Sequence, residues 1–150
     1  MLNSFIDNNK IIIQFNEANF DLIKFYSKEN KLPFFNKLLN EYSEIETYSE
    51  NEYENLEPWI QWYSFYTRLD YKNHKIFNLG DSLKADHAIF LDDYSDKKVA
   101  AFASMNLPPR DYFYKYFPDP WTESVPINLS FKENYINYAL KQLINDNAEY

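Results

Sequence analysis

The sequence contains no cysteine and a single glycine, Gly80. Without cysteine the chain has no disulfide framework, no thiolate metal site and no cysteine nucleophile. With one glycine it has no glycine-rich phosphate loop, which excludes nucleotide binding through the Rossmann and P-loop motifs. No apolar run approaches the roughly 18–20 residues of a membrane span, and the first residues lack the basic and apolar regions of a signal peptide. We therefore expect a cytoplasmic protein with no membrane span.

Basic residues are also scarce, since 15 Lys and Arg stand against 23 Asp and Glu and the net charge is −8. Nucleic-acid backbones bind basic surfaces, so a nucleic-acid partner is not expected. Aromatic residues make up 20% of the chain, which is too many for a disordered segment. A chain of 150 residues is long enough to bury a core. Composition thus predicts a folded, acidic domain.

The most informative stretch runs from residue 50 to residue 81. Pro58 fits the first turn of a helix, because its φ is already fixed near the helical value. Four aromatic residues then follow at the spacing of one helical face: Trp59, Trp62, Tyr63 and Tyr66. Glu57 stands at the entrance, where the helix dipole favours an acid and where an anionic substrate group could also bind. Glu57 is therefore either an ordinary capping residue or a ligand or base.

Helices and strands are predicted to alternate along the rest of the chain. The predicted strands are 10–15, 99–104 and a short or edge strand at 43–48, and the predicted helices are 19–28, one starting at 33, 82–94 and one starting at 130. Ser130 and Glu133 have the spacing of a capping box. Residues 105–129 hold five of the seven prolines, and no helix is expected there. This order indicates an α/β fold, a mostly parallel sheet flanked by helices.

In such sheets, ligands bind beyond the carboxyl ends of the strands. Asn16 and Glu17 follow the first predicted strand, and Asn106 follows a later one, so we expect them on one rim with the helix entrance. Glu17 is either a metal ligand or a cap of the next helix. Trp121 lies in the proline-rich stretch and is the aromatic residue first expected to contact a ligand, although most aromatic side chains belong to the core.

The two histidines, His74 and His87, have no second ligand at helical spacing and form no metal motif. His74 is expected to be a structural or solvated residue, and His87 a surface residue of a helix. No Ser-His-Asp arrangement can be identified from the order of residues alone.

The chain carries, in order, the runs IIIQFNEANFDLI, KLPFF, LEPWIQWYSFYTRLDYKNHKIFNLGD, ASMN and FPDPWT. This series resembles the start of the alkaline phosphatase superfamily. It is most similar to sulfatase- or phosphodiesterase-like proteins associated with bacterial surface-polysaccharide genes, and the resemblance covers nearly all 150 residues. The resemblance implies an alkaline-phosphatase-like N-terminal portion. It also implies a two-metal site, usually zinc, at which an activated hydroxyl attacks a phosphate or sulfate ester.

The chain departs from this family at several positions. The family's first metal ligand is an Asp, and Asn16 stands there with Glu17 beside it; a neutral amide is a poor zinc ligand, so Glu17 is the better candidate. The nucleophile position holds Leu56, which has no hydroxyl. Two glycines of the family are replaced by Arg68 and Lys75.

The resemblance also places the family's later metal ligands beyond residue 150. Residues 1–150 are therefore expected to form a single α/β domain that is incomplete relative to the family. We expect that this chain alone carries no complete metal site and is inactive.

Two functions follow as expectations. The first is the N-terminal portion of a metal-dependent phosphoesterase, sulfatase or phosphotransferase acting on surface-glycan substrates, with Glu57 as the catalytic residue, Asn16 and Glu17 as metal ligands, and Asn106 and Trp121 as substrate-binding residues. The second is a non-catalytic α/β module for binding or assembly. An incomplete domain leaves an apolar sheet edge or helix face uncovered, so a homodimer or aggregation is expected.

Overall fold

The structure is a computed structural model that describes residues 10–16 and 18–147. The chain divides into two compact units, Met1–Thr47 and Tyr48–Tyr150. Both α-helices and a parallel pair of strands occur in the described residues, so the chain is a mixed α/β protein. None of the described helices combines the length and the apolar character that crossing a bilayer requires.

The first unit contains two short helices, α1 at Phe20–Lys28 and α2 at Pro33–Glu41. Asn19 caps α1, because its Oδ1 accepts a hydrogen bond from Leu22 N at 2.9 Å. Pro33 occupies the first turn of α2, where proline costs no hydrogen bond. Both helices confirm the predictions from sequence.

The strands predicted at 10–15 and 43–48 are wrong. The described backbone of both segments is irregular, and Ile11 and Ile13 are 83% and 70% exposed. A β-branched run favours an extended backbone, but a strand forms only where a neighbouring strand supplies hydrogen bonds and packing. The described part of this unit offers no such strand.

The second unit contains the helix α3 at Pro58–Thr67, the single turn α4 at Tyr71–His74 and the long helix α5 at Phe131–Asn147. The helix predicted to start at Pro58 is therefore confirmed. It buries Ile60, Tyr63 and Tyr66 and leaves Trp59 and Trp62 half-buried, so its apolar surface reaches round more than one face. Short 3₁₀ helices lie at Tyr53–Asn55, Asp81–Lys84 and Phe90–Tyr94.

Two strands, β1 at Ala100–Phe102 and β2 at Lys115–Phe117, pair in parallel with Ala101 opposite Tyr116. β1 confirms the strand predicted at 99–104, whereas β2 lies in the proline-rich stretch and was not predicted. The strands contribute to a core in which α3 also takes part: Tyr66, Ile89, Ala101, Leu107, Phe113 and Tyr116.

The continuous helix predicted at 82–94 is wrong, since an extended segment separates two 3₁₀ helices. Two side chains form hydrogen bonds with backbone groups that would otherwise be available for helical hydrogen bonds. Asp92 Oδ2 accepts a hydrogen bond from Ile89 N at 2.8 Å, and Arg110 Nη2 donates one to His87 O at 2.6 Å. A new turn therefore begins at Phe90.

The capping box at the start of α5 is confirmed. Ser130 N donates to Glu133 Oε2 at 2.8 Å, and Glu133 N donates to Ser130 Oγ at 3.3 Å. Lys115 of β2 forms an ion pair with Glu133 as well. The pair attaches the first turn of α5 to the sheet.

Candidate functional site

The entrance of α3 is held in a fixed position by its own first turns. Glu57 precedes Pro58, and its carbonyl oxygen accepts hydrogen bonds from Ile60 N at 3.0 Å and Gln61 N at 3.1 Å. Gln61 Nε2 also donates to Asn55 O at 2.5 Å, which ties the incoming chain to the helix. The Glu57 side chain is exposed and makes no capping hydrogen bond. Its carboxylate is thus available at the helix entrance.

Asn106 connects this helix to a neighbouring loop. It is 1% exposed, and it adopts the left-handed backbone conformation with φ at 55° just after β1. Its Oδ1 accepts a hydrogen bond from Gly80 N at 3.0 Å, and its Nδ2 donates one to Trp59 O at 3.1 Å. Both amide atoms therefore bind backbone groups, and the residue acts here as a bridge.

Asp119 connects the turns that follow β1 and β2. It is buried, and its carboxylate accepts hydrogen bonds from Trp121 N at 3.0 Å and from Asn106 N at 3.4 Å. Burial raises the pKa of Asp119 above its ordinary value, and the two backbone donors and the charge of Lys141 oppose that rise. Thr122 Oγ1 donates to Asp119 O at 3.1 Å, which closes the turn. This turn fixes the backbone of Trp121, whose side chain is 57% exposed.

Three elements therefore meet in the second unit: the first turn of α3, the turn after β1 and the turn after β2. The two turns lie at the same edge, because the strands are parallel and both turns follow carboxyl ends. The sequence-derived residues Glu57, Asn106 and Trp121 all belong to these three elements. We call Glu57, Gly80, Asn106, Asp119 and Trp121 the α3-entrance cluster.

Sequence reasoning did not single out Asp119 or Gly80 as members of this cluster. A signal for Asp119 was present, because an Asp side chain tends to accept a hydrogen bond from the backbone N–H two residues on and so to organise the turn that follows. It could not be used because β2, which brings that turn to the sheet edge, was not predicted. Gly80 has φ at 90°, which explains why the chain keeps its one glycine there.

Only one of the two predicted metal ligands, Asn16 and Glu17, lies within the described residues. Asn16 is an exposed residue at a turn of the first unit, and Glu17 lies outside the described residues. Across residues 10–16 and 18–147, no group of three or more His, Asp or Glu side chains could hold a metal ion. The described donors thus do not fit a zinc site, and no chemical step is assigned to a metal.

Ser64 and His74 form a pair that superficially resembles a nucleophile and its base. His74 Nε2 lies 2.9 Å from Ser64 Oγ, but its Nδ1 accepts a hydrogen bond from Ile76 N at 2.9 Å. The ring proton must then sit on Nε2, which donates to Ser64, and Ser64 Oγ donates to Ile60 O at 3.2 Å. A catalytic histidine needs the opposite tautomer. The pair is structural, as expected for His74.

A second polar network surrounds His87, Asp92 and Arg110. Asp92 Oδ1 accepts hydrogen bonds from Arg110 Nε at 3.1 Å and Tyr112 Oη at 2.6 Å. Burial opposes ionisation of Asp92, but these donors and Ile89 N outweigh it and lower the pKa of Asp92 below its ordinary value. Tyr63 Oη lies 3.1 Å from His87 Nδ1. All these groups are partnered within the fold, which gives the network a structural role.

No family model matches the chain, and no curated protein or solved structure matches it either.

Proposed function

We propose that this chain is the N-terminal portion of an alkaline-phosphatase-like phosphoesterase, sulfatase or phosphotransferase whose substrate is a phosphate or sulfate ester of a surface glycan. In this proposal the α3-entrance cluster holds the ester group, Glu57 acts there as ligand or base, and Trp121 stacks on a sugar ring. Zinc or another divalent metal belongs to the complete site, which this chain does not supply alone.

The observation that carries the proposal is the meeting of the α3 entrance with two carboxyl-terminal turns of a parallel sheet. Ligands of open α/β sheets bind at such edges, and the start of a helix favours anionic groups. Asn106 joins the helix and the edge directly through Trp59 O, and Asp119 joins Asn106 to Trp121. The arrangement supports a site that spans all three elements.

The backbone at Arg68 and Lys75 gives independent support to the resemblance. Both residues end a helix in the left-handed conformation, with φ at 59° in each case. Glycine is the residue that adopts this conformation most easily. The two positions at which the resemblance implies glycine are thus positions where the backbone geometry favours glycine.

We expect the isolated chain to be inactive, because the position that the resemblance assigns to the nucleophile carries no hydroxyl. Leu56 stands at the nucleophile position, and the nearby Ser64 hydroxyl is committed to His74 and Ile60. We expect no hydrolysis of p-nitrophenyl phosphate or p-nitrophenyl sulfate, with or without added zinc. Any turnover by the purified chain above the rate in buffer would contradict this part of the proposal.

Ligand binding tests the site separately from catalysis. Isothermal titration with glucose 1-phosphate is expected to show weak, saturable binding, and the Trp121→Ala variant should bind about 3–10-fold more weakly because stacking is lost. Phe131→Ala removes another exposed aromatic side chain and serves as the matched control. Equal affinities of the wild type and both variants would show that Trp121 does not contact the ligand.

A non-catalytic module for binding or assembly is the second candidate. Leu56 and the tautomer of His74 favour it, because Leu56 has no hydroxyl and His74 Nε2 carries a proton and cannot accept one from Ser64. The two candidates differ in what they require of Glu57. A module that only binds the ester should keep its affinity, or gain some, when Glu57 is replaced by Gln, because a negative charge beside the anion is removed.

A further inference from the structure

His74 is a buried ionisable side chain in the turn that precedes Gly80 of the α3-entrance cluster. It is 2% exposed, and both of its ring nitrogens have hydrogen-bond partners. The neutral ring satisfies these partners completely, because Nδ1 accepts from Ile76 N and Nε2 donates to Ser64 Oγ. A second proton can be added only at Nδ1. It would then face the Ile76 N–H, and two donors cannot form a hydrogen bond.

The segment held by this hydrogen bond leads directly to the cluster. Lys75 is in the left-handed conformation. Phe77 O accepts a hydrogen bond from Trp59 Nε1 at 2.8 Å, and Gly80 N donates to Asn106 Oδ1. Loss of the Ile76–His74 hydrogen bond would release the start of a segment whose other end forms part of the cluster.

We propose that His74 is an acid-sensitive switch, and that its protonation releases segment 75–80 and weakens the hydrogen bond between Gly80 and Asn106. The switch requires no ligand. It therefore stands or falls independently of the proposed function.

The surroundings of His74 set the direction of the effect. Burial is the largest influence and lowers the pKa of His74 below 6.5, and the nearby His87 lowers it further, whereas Glu50 and Asp70 act in the opposite direction. The edges of the Tyr63 and Tyr71 rings complete the enclosure. Because the folded protein binds this proton less readily than the unfolded chain, His74 contributes stability above about pH 6.5 that is lost as the pH falls.

Amide hydrogen exchange measured by NMR between pH 7.5 and pH 5 tests the switch. We expect the protection factor of the Ile76 amide to fall by up to about tenfold per pH unit below pH 6.5, while amides of α5 serve as a reference. The chain has only two histidines, so the controls are simple. His87→Gln should retain the fall. His74→Asn should abolish it, because the Asn oxygen can accept from Ile76 N and does not titrate.

The raised pKa of Asp119 is the second source of pH dependence near Asn106, and Asp119→Asn should leave the effect at Ile76 unchanged. Identical profiles for wild type and His74→Asn would overturn the proposal, as would loss of the effect in His87→Gln. If His74→Asn does not fold, the wild-type protein still decides the question. The Ile76 protection factor must then fall between about pH 6.5 and the lower pH at which the His74 Cε1–H resonance titrates, and a protection factor that stays constant over this interval would overturn the proposal.

Discussion

Asn106 shows how one short side chain can join two backbone segments. An amide carries an acceptor and a donor on the same carbon, and at this position the acceptor binds Gly80 N while the donor binds Trp59 O. Asparagine also tolerates the left-handed conformation better than most residues. The requirement for both properties explains why asparagine occupies a site that is almost completely buried.

Replacement of Asn106 by alanine is expected to lower the free energy of unfolding by about 2–4 kcal/mol, because the half-buried backbone groups Gly80 N and Trp59 O lose their partners. Asn128 offers a matched control. It has φ at 54°, is exposed, and makes one side-chain hydrogen bond, from Nδ2 to Phe113 O at 3.1 Å. Asn128→Ala should cost only about 1 kcal/mol. Urea denaturation measures both, and equal losses would show that the Asn106 bridge has no special role.

At the scale of elements, α3 and α4 are both followed by a residue with a strained backbone conformation. Arg68 and Lys75 occupy the left-handed conformation without the freedom of glycine. The exposed pair of Arg68 with Asp93 contributes little in return, since surface ion pairs are weak. A residue that adopts the left-handed conformation more easily should therefore stabilise the fold at both helix ends.

Arg68→Gly and Lys75→Gly are each expected to raise the free energy of unfolding by roughly 0.5–1 kcal/mol, because relief of left-handed strain exceeds the entropy cost of glycine. Gly80→Ala should have the opposite sign. The added Cβ would lie 3.8 Å from Thr122 Cγ2, which is an ordinary contact, so its cost comes from φ alone. Thermal unfolding of the three variants checks the signs. A loss of stability in both glycine variants would contradict the backbone description.

The elements that the sequence could predict are those with local signals. Asn19 and the Ser130–Glu133 box mark helix starts through hydrogen bonds within a few residues, and Pro33 and Pro58 do so through their fixed φ. All four helix starts are found. The strands depend on partners that are distant in sequence. The β-branched residues Ile11 and Ile13 therefore predicted a strand that does not form. The strand β2 was not predicted because it lies in a stretch rich in proline. The same holds for the candidate site. The α3 entrance could be predicted from local sequence, but the contacts of Asp119 could not, because they depend on the pairing of β1 with β2.

At the scale of the whole molecule, the acidic chain of net charge −8 exposes large apolar side chains along α5. The exposed large apolar residues of α5 are Phe131, Tyr135, Ile136, Tyr138 and Leu143. Patches of this kind mark interaction surfaces. The expectation of a homodimer or aggregation therefore has a surface on which it can be tested, and repulsion between acidic copies would make such association dependent on salt.

We expect sedimentation equilibrium to show association that strengthens as salt is added. Phe131→Glu should weaken it, because it removes the most exposed apolar side chain of α5, at 91% exposure, and adds a charge. Gln142→Glu adds the same charge at an exposed position of the same helix and should weaken it less. A wild-type protein that is monomeric at every salt concentration would contradict the proposal of a homodimer.

The central claim is that the α3 entrance and the two turns at the sheet edge form one binding site for an anionic sugar ester. Chemical-shift mapping of the ¹⁵N-labelled chain with glucose 1-phosphate, and with glucose as the uncharged control, tests it most directly. The account predicts saturable shifts at the amides of Trp59, Gly80 and Trp121 that share one dissociation constant and are absent with glucose. Shifts confined to other parts of the chain, or different dissociation constants at the three amides, would contradict it.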